Sequence, residues 1–154
     1  GDFDFLSLVP HHREIHILLN NDLSETYNSS YESVYVSVKS LTDNEIHLPS
    51  LNLNKAAKVK VVLMNNSGVE QGNLQIIYPE PVRFLLYDQG ELSELEEEIF
   101  NDRTISSEII PETLEVDFSS TAGEEVRVIL NYNEQQEERV LSIQPGIERY
   151  EIEF

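Results

Sequence analysis

Apolar and polar residues alternate with a period of two along much of this chain. In residues 150–154 the apolar side chains of Tyr150, Ile152 and Phe154 fall on one face, and two glutamates fall on the other. Residues 114–118 repeat the arrangement. Because successive side chains of an extended backbone point to opposite faces, this pattern predicts half-buried β-strands.

The same alternation recurs in further segments, in which Val, Ile and Leu predominate. Their aligned apolar residues are Ile15, Ile17 and Leu19; Val34, Val36 and Val38; Val59, Val61 and Leu63; Leu74, Ile76 and Tyr78; Val82, Phe84 and Leu86; Val126, Val128 and Leu130; and Leu141 with Ile143. Turn-forming sequences such as residues 65–68 separate them. We therefore predict an all-β fold, a two-sheet antiparallel β-sandwich with Greek-key connections, of the immunoglobulin-like or prealbumin-like kind.

Residues 91–101 depart from this alternation. Their apolar residues follow the i, i+3, i+7, i+8 spacing of one helix face, while glutamates take the other faces. These apolar residues are Leu92, Leu95, Ile99 and Phe100. We predict one short helix here, acting as a crossover or cap between the halves of the sandwich.

Length and composition favour a single domain over residues 1–154. A chain of 154 residues with 40% hydrophobic residues lies within the usual size of one domain and can bury a core. The alternative is two β subdomains, 1–88 and 104–154, joined by the helix. We favour one domain because the second of these segments offers too few strands to bury much core alone.

Acidic residues dominate the charge of the chain. It has 29 Asp and Glu against 10 Lys and Arg, which gives a formal net charge of −19 at pH 7. Since phosphate binding needs clustered Lys and Arg, we expect no nucleic-acid partner and no direct binding to anionic membranes. Cysteine is absent, which excludes disulfides, thiolate catalysis and cysteine-based metal sites.

A histidine-rich segment near the N-terminus is a candidate metal site. In an extended backbone His12, Glu14 and His16 project from one face. Two histidines and a carboxylate can bind zinc or ferrous iron, with His47 as a candidate fourth ligand. The competing interpretation is a solvated outer face, because isoleucines occupy the opposite one. A metal-dependent enzyme at these residues is therefore an alternative hypothesis.

Acidic residues in predicted loops are candidate calcium ligands. They are Asp2, Asp4, Asp22, Glu25, Asp43, Glu45, Asp88 and Asp102. Calcium takes oxygen ligands from loops of this kind, but the chain contains no Asp-x-Asp-x-Asp-Gly segment. We therefore predict no resident cofactor and keep calcium or zinc as alternatives.

Tyrosines recur every four residues at Tyr27, Tyr31 and Tyr35. Tyr31 and Tyr35 share the face opposite the valines of their strand, so we predict that they are exposed and bind a ligand. Tyrosine combines apolar area with a polar tip, which suits stacking on sugar rings or anchoring a protein partner. The competing interpretation is that both faces of a central strand are covered.

The sequence offers no recognisable catalytic constellation. It has no Gly-x-Ser-x-Gly segment, and its 6 glycines form no phosphate-binding loop. We predict a non-enzymatic interaction or structural module of a cell-surface or envelope assembly, with a protein or glycan partner. A carbohydrate-binding module using Tyr31 and Tyr35 is the alternative. Because the chain begins at Gly1, we expect a longer precursor with a secretion signal and a periplasmic, cell-surface or secreted location.

Overall fold

The protein is all-β in the part that the computed structural model describes, which comprises residues 5–6, 15–20, 26–40, 45–46, 48–95 and 102–154. In chain order the strands are β1 (Phe5–Leu6), β2 (Ile15–Leu19), β3 (Ser33–Ser40), β4 (Glu45–Ile46), β5 (Ala57–Met64), β6 (Gln71–Pro79), β7 (Val82–Asp88), β8 (Glu91–Glu94), β9 (Asp102–Ile109), β10 (Thr113–Ser120), β11 (Glu125–Tyr132), β12 (Gln135–Ser142) and β13 (Arg149–Glu153). The predicted all-β class is confirmed.

The described strands form two four-stranded sheets, one three-stranded sheet and one two-stranded pair. Their strand orders are β2-β3-β7-β8, β12-β11-β6-β9, β10-β5-β13 and β1-β4. Within this part of the chain, every neighbouring pair is antiparallel except β3 with β7 and β5 with β13, which are parallel. The predicted antiparallel pairing therefore holds with these two exceptions, which both join strands far apart in the chain.

The chain divides into two compact units, each assembled from three segments. Unit 1 comprises Gly1–Asn21, Tyr31–Asn54 and Val82–Ile99, and unit 2 comprises Asp22–Ser30, Lys55–Pro81 and Phe100–Phe154. The sheet β2-β3-β7-β8 belongs to unit 1, and the sheets β12-β11-β6-β9 and β10-β5-β13 belong to unit 2. Both the single domain over 1–154 and the alternative subdomains 1–88 and 104–154 stay predictions.

The core of unit 1 lies on one face of its sheet. Val34, Val36 and Val38 of β3 and Leu85 and Tyr87 of β7 form a buried cluster. Partly buried residues pack against it: Ile15, Ile17, Leu19, Leu48, Leu51, Leu53 and Leu92. The inward positions of β2 and β3 are therefore the apolar positions that the alternation predicts.

The core of unit 2 receives side chains from both of its sheets. Its buried residues are Tyr27, Val59, Val61, Leu63, Leu74, Ile76, Tyr78, Ile110, Phe118, Val126, Val128, Leu130, Ile143 and Ile152. At its centre the rings of Tyr78 and Phe118 stack, with centroids 4.2 Å apart and planes inclined by 27°. These two rings join the two sheets, because Tyr78 lies on β6 and Phe118 on β10.

The first four residues of the predicted helix over 91–101 form a strand instead. Glu91–Glu94 form strand β8, which pairs with β7 so that Leu92 lies opposite Tyr87. Gln89 and Gly90 make the turn between them with φ of 51° and 83°, the left-handed geometry of a two-residue hairpin. Leu92 thus packs on the unit 1 core from a strand. Residues 96–101 of the predicted helix lie outside the described residues.

Candidate functional site

A row of aromatic rings crosses three strands of unit 1 on the face opposite its core. The register places Tyr35 of β3 beside Leu18 of β2 and Phe84 of β7. The ring centroid of His16 lies 5.2 Å from that of Tyr35, and that of Phe84 lies 5.5 Å from it on the other side. Rings at these separations attract one another. We name His16, Tyr35 and Phe84 the aromatic row.

The aromatic row is accessible to solvent. His16 is exposed, Tyr35 and Phe84 are half-buried, and the neighbouring Leu18 is 51% exposed. The planes of His16 and Tyr35 are inclined by only 29°, so these two rings form the flatter part of the surface. The alternation predicts Val82, Phe84 and Leu86 as the core-facing residues of β7, but Leu85 and Tyr87 are the buried ones. Phe84 therefore lies on the opposite face and adds aromatic area there.

The two predicted ligand-binding tyrosines are both accessible in unit 1. Tyr31 is exposed just before β3, and Tyr35 is half-buried within the aromatic row. Tyr27 differs from both, because it is fully buried in the core of unit 2. The recurrence of tyrosine every four residues therefore does not form one ladder. A role of Tyr31 and Tyr35 in ligand binding stays a prediction.

Only one of the predicted metal ligands is described. His16 stacks on Tyr35, while His12, Glu14 and His47 lie outside the described residues. Within the described part of the chain, no three His, Asp or Glu side chains are close enough together to hold a metal ion. The metal site at His12, Glu14 and His16 stays a prediction.

Glu32, just before β3, and Arg83 of β7 form a largely buried ion pair in unit 1. The Arg83 Nη2 and Glu32 Oε1 atoms are 3.1 Å apart, and the side chains are only 22% and 10% exposed. Glu32 also accepts a hydrogen bond from the backbone N–H of Asn54 at 3.0 Å, and Arg83 donates to the carbonyl of Asn52 at 2.9 Å. The pair therefore fixes the segment around residues 52–54 against β3 and β7.

A second polar cluster lies at the edge of the unit 2 core. Arg103 donates two hydrogen bonds to Glu80, at 2.9 and 3.0 Å, which is the bidentate geometry of a strong Arg–carboxylate pair. The same guanidinium lies over the Tyr27 ring, 5.5 Å from its centroid. The backbone N–H of Tyr27 in turn donates to the hydroxyl of Tyr78 at 3.0 Å. These contacts fasten Tyr27 to β6 and β9.

Burial raises the pKa of the Tyr78 hydroxyl above its ordinary value of 10.0, against the smaller opposing effects of the Tyr27 hydrogen bond and the Arg103 charge. The folded state therefore holds this proton more tightly than the unfolded state does. Its contribution to stability is complete below about pH 10 and is lost as the pH rises above that value.

We expect the loss of stability in Tyr78→Phe to depend on pH. At neutral pH it should cost about 1–3 kcal/mol, because the buried N–H of Tyr27 loses its acceptor. Above about pH 10 the parent should lose stability more steeply than the variant, which has no hydroxyl to ionise. Urea unfolding followed by circular dichroism across this pH range measures both effects.

Tyr150→Phe is the matched control for that measurement. The Tyr150 hydroxyl also accepts from a backbone N–H, that of Gln144 at 2.8 Å, but at an exposed position. Water can replace that acceptor, so the loss at neutral pH should be smaller than for Tyr78→Phe. Equal losses in the two variants, or parallel alkaline profiles of the parent and Tyr78→Phe, would contradict the assignment to a buried hydroxyl.

No protein-family model, curated protein or solved structure matches this chain. Across the described residues, no helix has the length and apolar character needed to cross a membrane.

Proposed function

We propose that this chain is a non-catalytic binding module of an extracytoplasmic surface or envelope assembly, and that the aromatic row of unit 1 is its contact surface. The observation that carries the proposal is the alignment of His16, Tyr35 and Phe84 across three strands beside the half-exposed Leu18. Contiguous apolar area on a protein surface marks interaction sites. Aromatic side chains also supply much of the binding energy at such sites.

The architecture that we propose for unit 2 is a Greek-key β-sandwich of the immunoglobulin-like or prealbumin-like kind. Two features support it: both sheets contribute to one buried cluster, and the chain passes repeatedly between the sheets. Strands β5, β10 and β13 belong to one sheet, while β6, β9, β11 and β12 belong to the other. Sandwiches of this type commonly serve as rigid scaffolds for surface recognition.

The net charge narrows the class of partner. At −19, the chain repels polyanions, which disfavours nucleic acid and anionic membranes. A protein or an uncharged glycan is compatible with that field. We propose one of these as the partner of the aromatic row.

A carbohydrate ligand for the aromatic row is the second candidate. It is favoured by the small inclination of the His16 and Tyr35 planes, since sugar rings stack on flat aromatic faces. Tyr31 is exposed just before the same strand and can extend the contact. Glycan-array signals that disappear in Tyr31→Ala and Tyr35→Ala would support this candidate. A parent protein that binds no glycan on the array would exclude it.

Site-specific photocrosslinking tests the contact surface directly. We expect p-benzoylphenylalanine at position 18 to form a discrete adduct when the protein is irradiated in its native extracellular or envelope fraction. The same group at position 140 is the matched control, because Leu18 and Val140 are both 51% exposed and Val140 lies in unit 2. Tyr35→Ala should abolish the adduct at position 18.

Two outcomes of the crosslinking would contradict the proposal. One is the same adduct from positions 18 and 140, which would indicate non-specific capture. The other is an adduct at position 18 that survives Tyr35→Ala, which would show that the central ring of the aromatic row is not needed for binding.

A further inference from the structure

An open cleft of about 570 Å³ lies in unit 2, beside the hairpin that joins β11 and β12. Most of the residues that line it carry a side-chain amide: Gln71, Asn73, Asn131, Asn133, Gln135 and Gln136. We name this surface the amide cleft. It belongs to unit 2, so it is distinct from the aromatic row of unit 1.

Strand register aligns three of these amides. Asn73 of β6 lies directly opposite Asn131 of β11, which lies directly opposite Gln136 of β12. Directly paired residues project from the same face of a sheet, about 5 Å apart. The adjacent Leu74 and Leu130 are buried in the core, so the three amides point away from it. Three neighbouring strands thus present one continuous row of amides.

These three amides are available to a ligand. Among the described residues, none makes a side-chain hydrogen bond to Asn73, Asn131 or Gln136. Each amide therefore keeps two N–H donors and a carbonyl acceptor. Adjacent hydroxyls of a sugar ring are donors and acceptors together, so they match an amide group better than a carboxylate or an ammonium does.

The backbones of β6 and β11 approach each other closely at Gly72. A Cβ atom at Gly72 would lie 2.6 Å from the carbonyl oxygen of Asn131, so no larger residue fits there without moving β11. Asn133 and Glu134 form the two-residue turn with φ of 45° and 61°, the geometry of a tight β-hairpin. Gly72 and both turn residues belong to the lining of the cleft.

The charge of the other lining residues determines which sugars the cleft can bind. Tyr132 also lines the cleft, but its side chain packs against the unit 2 core, on the face opposite the three aligned amides. Within the described lining the only charged residue is Glu134, and no Lys or Arg is present. Phosphate, sulfate and uronate groups would meet no positive charge here and one negative charge. The lining therefore favours uncharged sugars.

A second cleft extends the surface past β6. Its volume is about 350 Å³, and it shares Gln71, Gly72 and Asn73 with the amide cleft. Ile109, which is 71% exposed, lines its far side. Together the two clefts cross the end of the sheet from β12 to β9, which suits a ligand of several sugar rings. We infer that the amide cleft is a binding site for an uncharged oligosaccharide.

Titration with defined sugars tests this inference. We expect the parent protein to bind at least one member of a panel of short neutral oligosaccharides of glucose, galactose, mannose or xylose, but not oligogalacturonate. In backbone amide NMR spectra the shifts should concentrate at residues 71–73 and 131–136. Asn73→Ala and Gln136→Ala should each weaken binding about two- to tenfold, the effect of one lost neutral hydrogen bond.

The controls separate this site from the aromatic row. Asn73 and Gln136 are exposed, so their replacement should leave the fold intact, which circular dichroism verifies. Gln144→Ala removes an exposed amide that does not line the cleft and should leave binding unchanged. Tyr35→Ala should also leave it unchanged. No binding to any neutral sugar, preferential binding of oligogalacturonate, or loss of binding only in Tyr35→Ala would overturn the inference.

Discussion

Glu32→Ala is expected to lower the free energy of unfolding by about 3 kcal/mol, although it changes a single carboxylate. Removal of this carboxylate leaves the largely buried Arg83 guanidinium with only the exposed carboxylate of Glu94 nearby, 3.9 Å from its Nη1. It also removes the acceptor of the Asn54 N–H. Burial of the Arg83 side chain is already costly in the parent protein, because its buried Nε has no hydrogen-bond partner among the described residues. Urea unfolding at neutral pH, followed by circular dichroism, measures the change.

An exposed ion pair on another strand is the matched control for Glu32→Ala. Arg149 and Glu151 approach to 3.3 Å, but both side chains are more than half exposed. Glu151→Ala should therefore cost less than about 1 kcal/mol. The double variant Glu32→Met/Arg83→Leu should recover much of the loss, because no unpaired charge stays buried. Equal losses in Glu32→Ala and Glu151→Ala would contradict a burial effect.

The fold can be predicted from the sequence where hydrophobicity determines which face of a strand points into the core. Val34, Val36 and Val38 alternate with polar or amphipathic residues, and all three are buried in the structure. Val126 and Val128 behave in the same way. Residues that alternate with a period of two share one face only if the backbone is extended. The pattern is therefore sufficient to predict these strands.

The apolar alternation does not predict strand β9, because an arginine and a serine occupy two of its inward-facing positions. Arg103, Ile105 and Ser107 are its half-buried residues, and only Ile105 is apolar. Arg103 tolerates this position because Glu80 neutralises it and the Tyr27 ring lies beneath it. Those partners are distant in sequence, so no local pattern reveals that an arginine faces inward.

Strand β8 is predicted as a helix for a different reason. Its four residues contain one inward apolar side chain, Leu92, and one residue cannot distinguish a period of two from a period of 3.6. The decisive signal is the turn at Gln89 and Gly90, where both residues have positive φ. A glycine after a polar residue favours a hairpin there. In the sequence alone, however, the helical spacing of the apolar residues in 91–101 is the stronger signal.

The two candidate surfaces depend on register, which hydropathy does not specify at exposed positions. Tyr35 is predicted as exposed, but His16 and Phe84 join it only through the pairing of β2, β3 and β7. Asn73 and Asn131 likewise become neighbours through the pairing of β6 with β11. In each case the partners belong to segments far apart in the chain. Their assembly into a row is therefore a property of the fold that no local motif encodes.

Phe118→Ala is expected to cost about 4 kcal/mol and to unfold unit 2 at a much lower urea concentration than the parent. Phe118 is fully buried, and its ring stacks on Tyr78 at 4.2 Å in the centre of the unit 2 core. The variant loses the transfer energy of the ring and leaves a cavity between two sheets. Urea unfolding at neutral pH measures the loss, and amide hydrogen exchange shows whether it is concentrated in the strands of unit 2.

Phe84→Ala makes the same chemical change on the aromatic row and is the control that decides between two interpretations of that row. If the row is a contact surface, Phe84 packs on Tyr35 from one side only, and its loss should cost about 1 kcal/mol. The variant then stays folded, so a loss of binding can be attributed to the missing ring. If instead Phe84→Ala destabilises the protein as much as Phe118→Ala does, the row is part of a core. In that case the aromatic rings of unit 1 contribute to stability, and the contact surface must lie elsewhere.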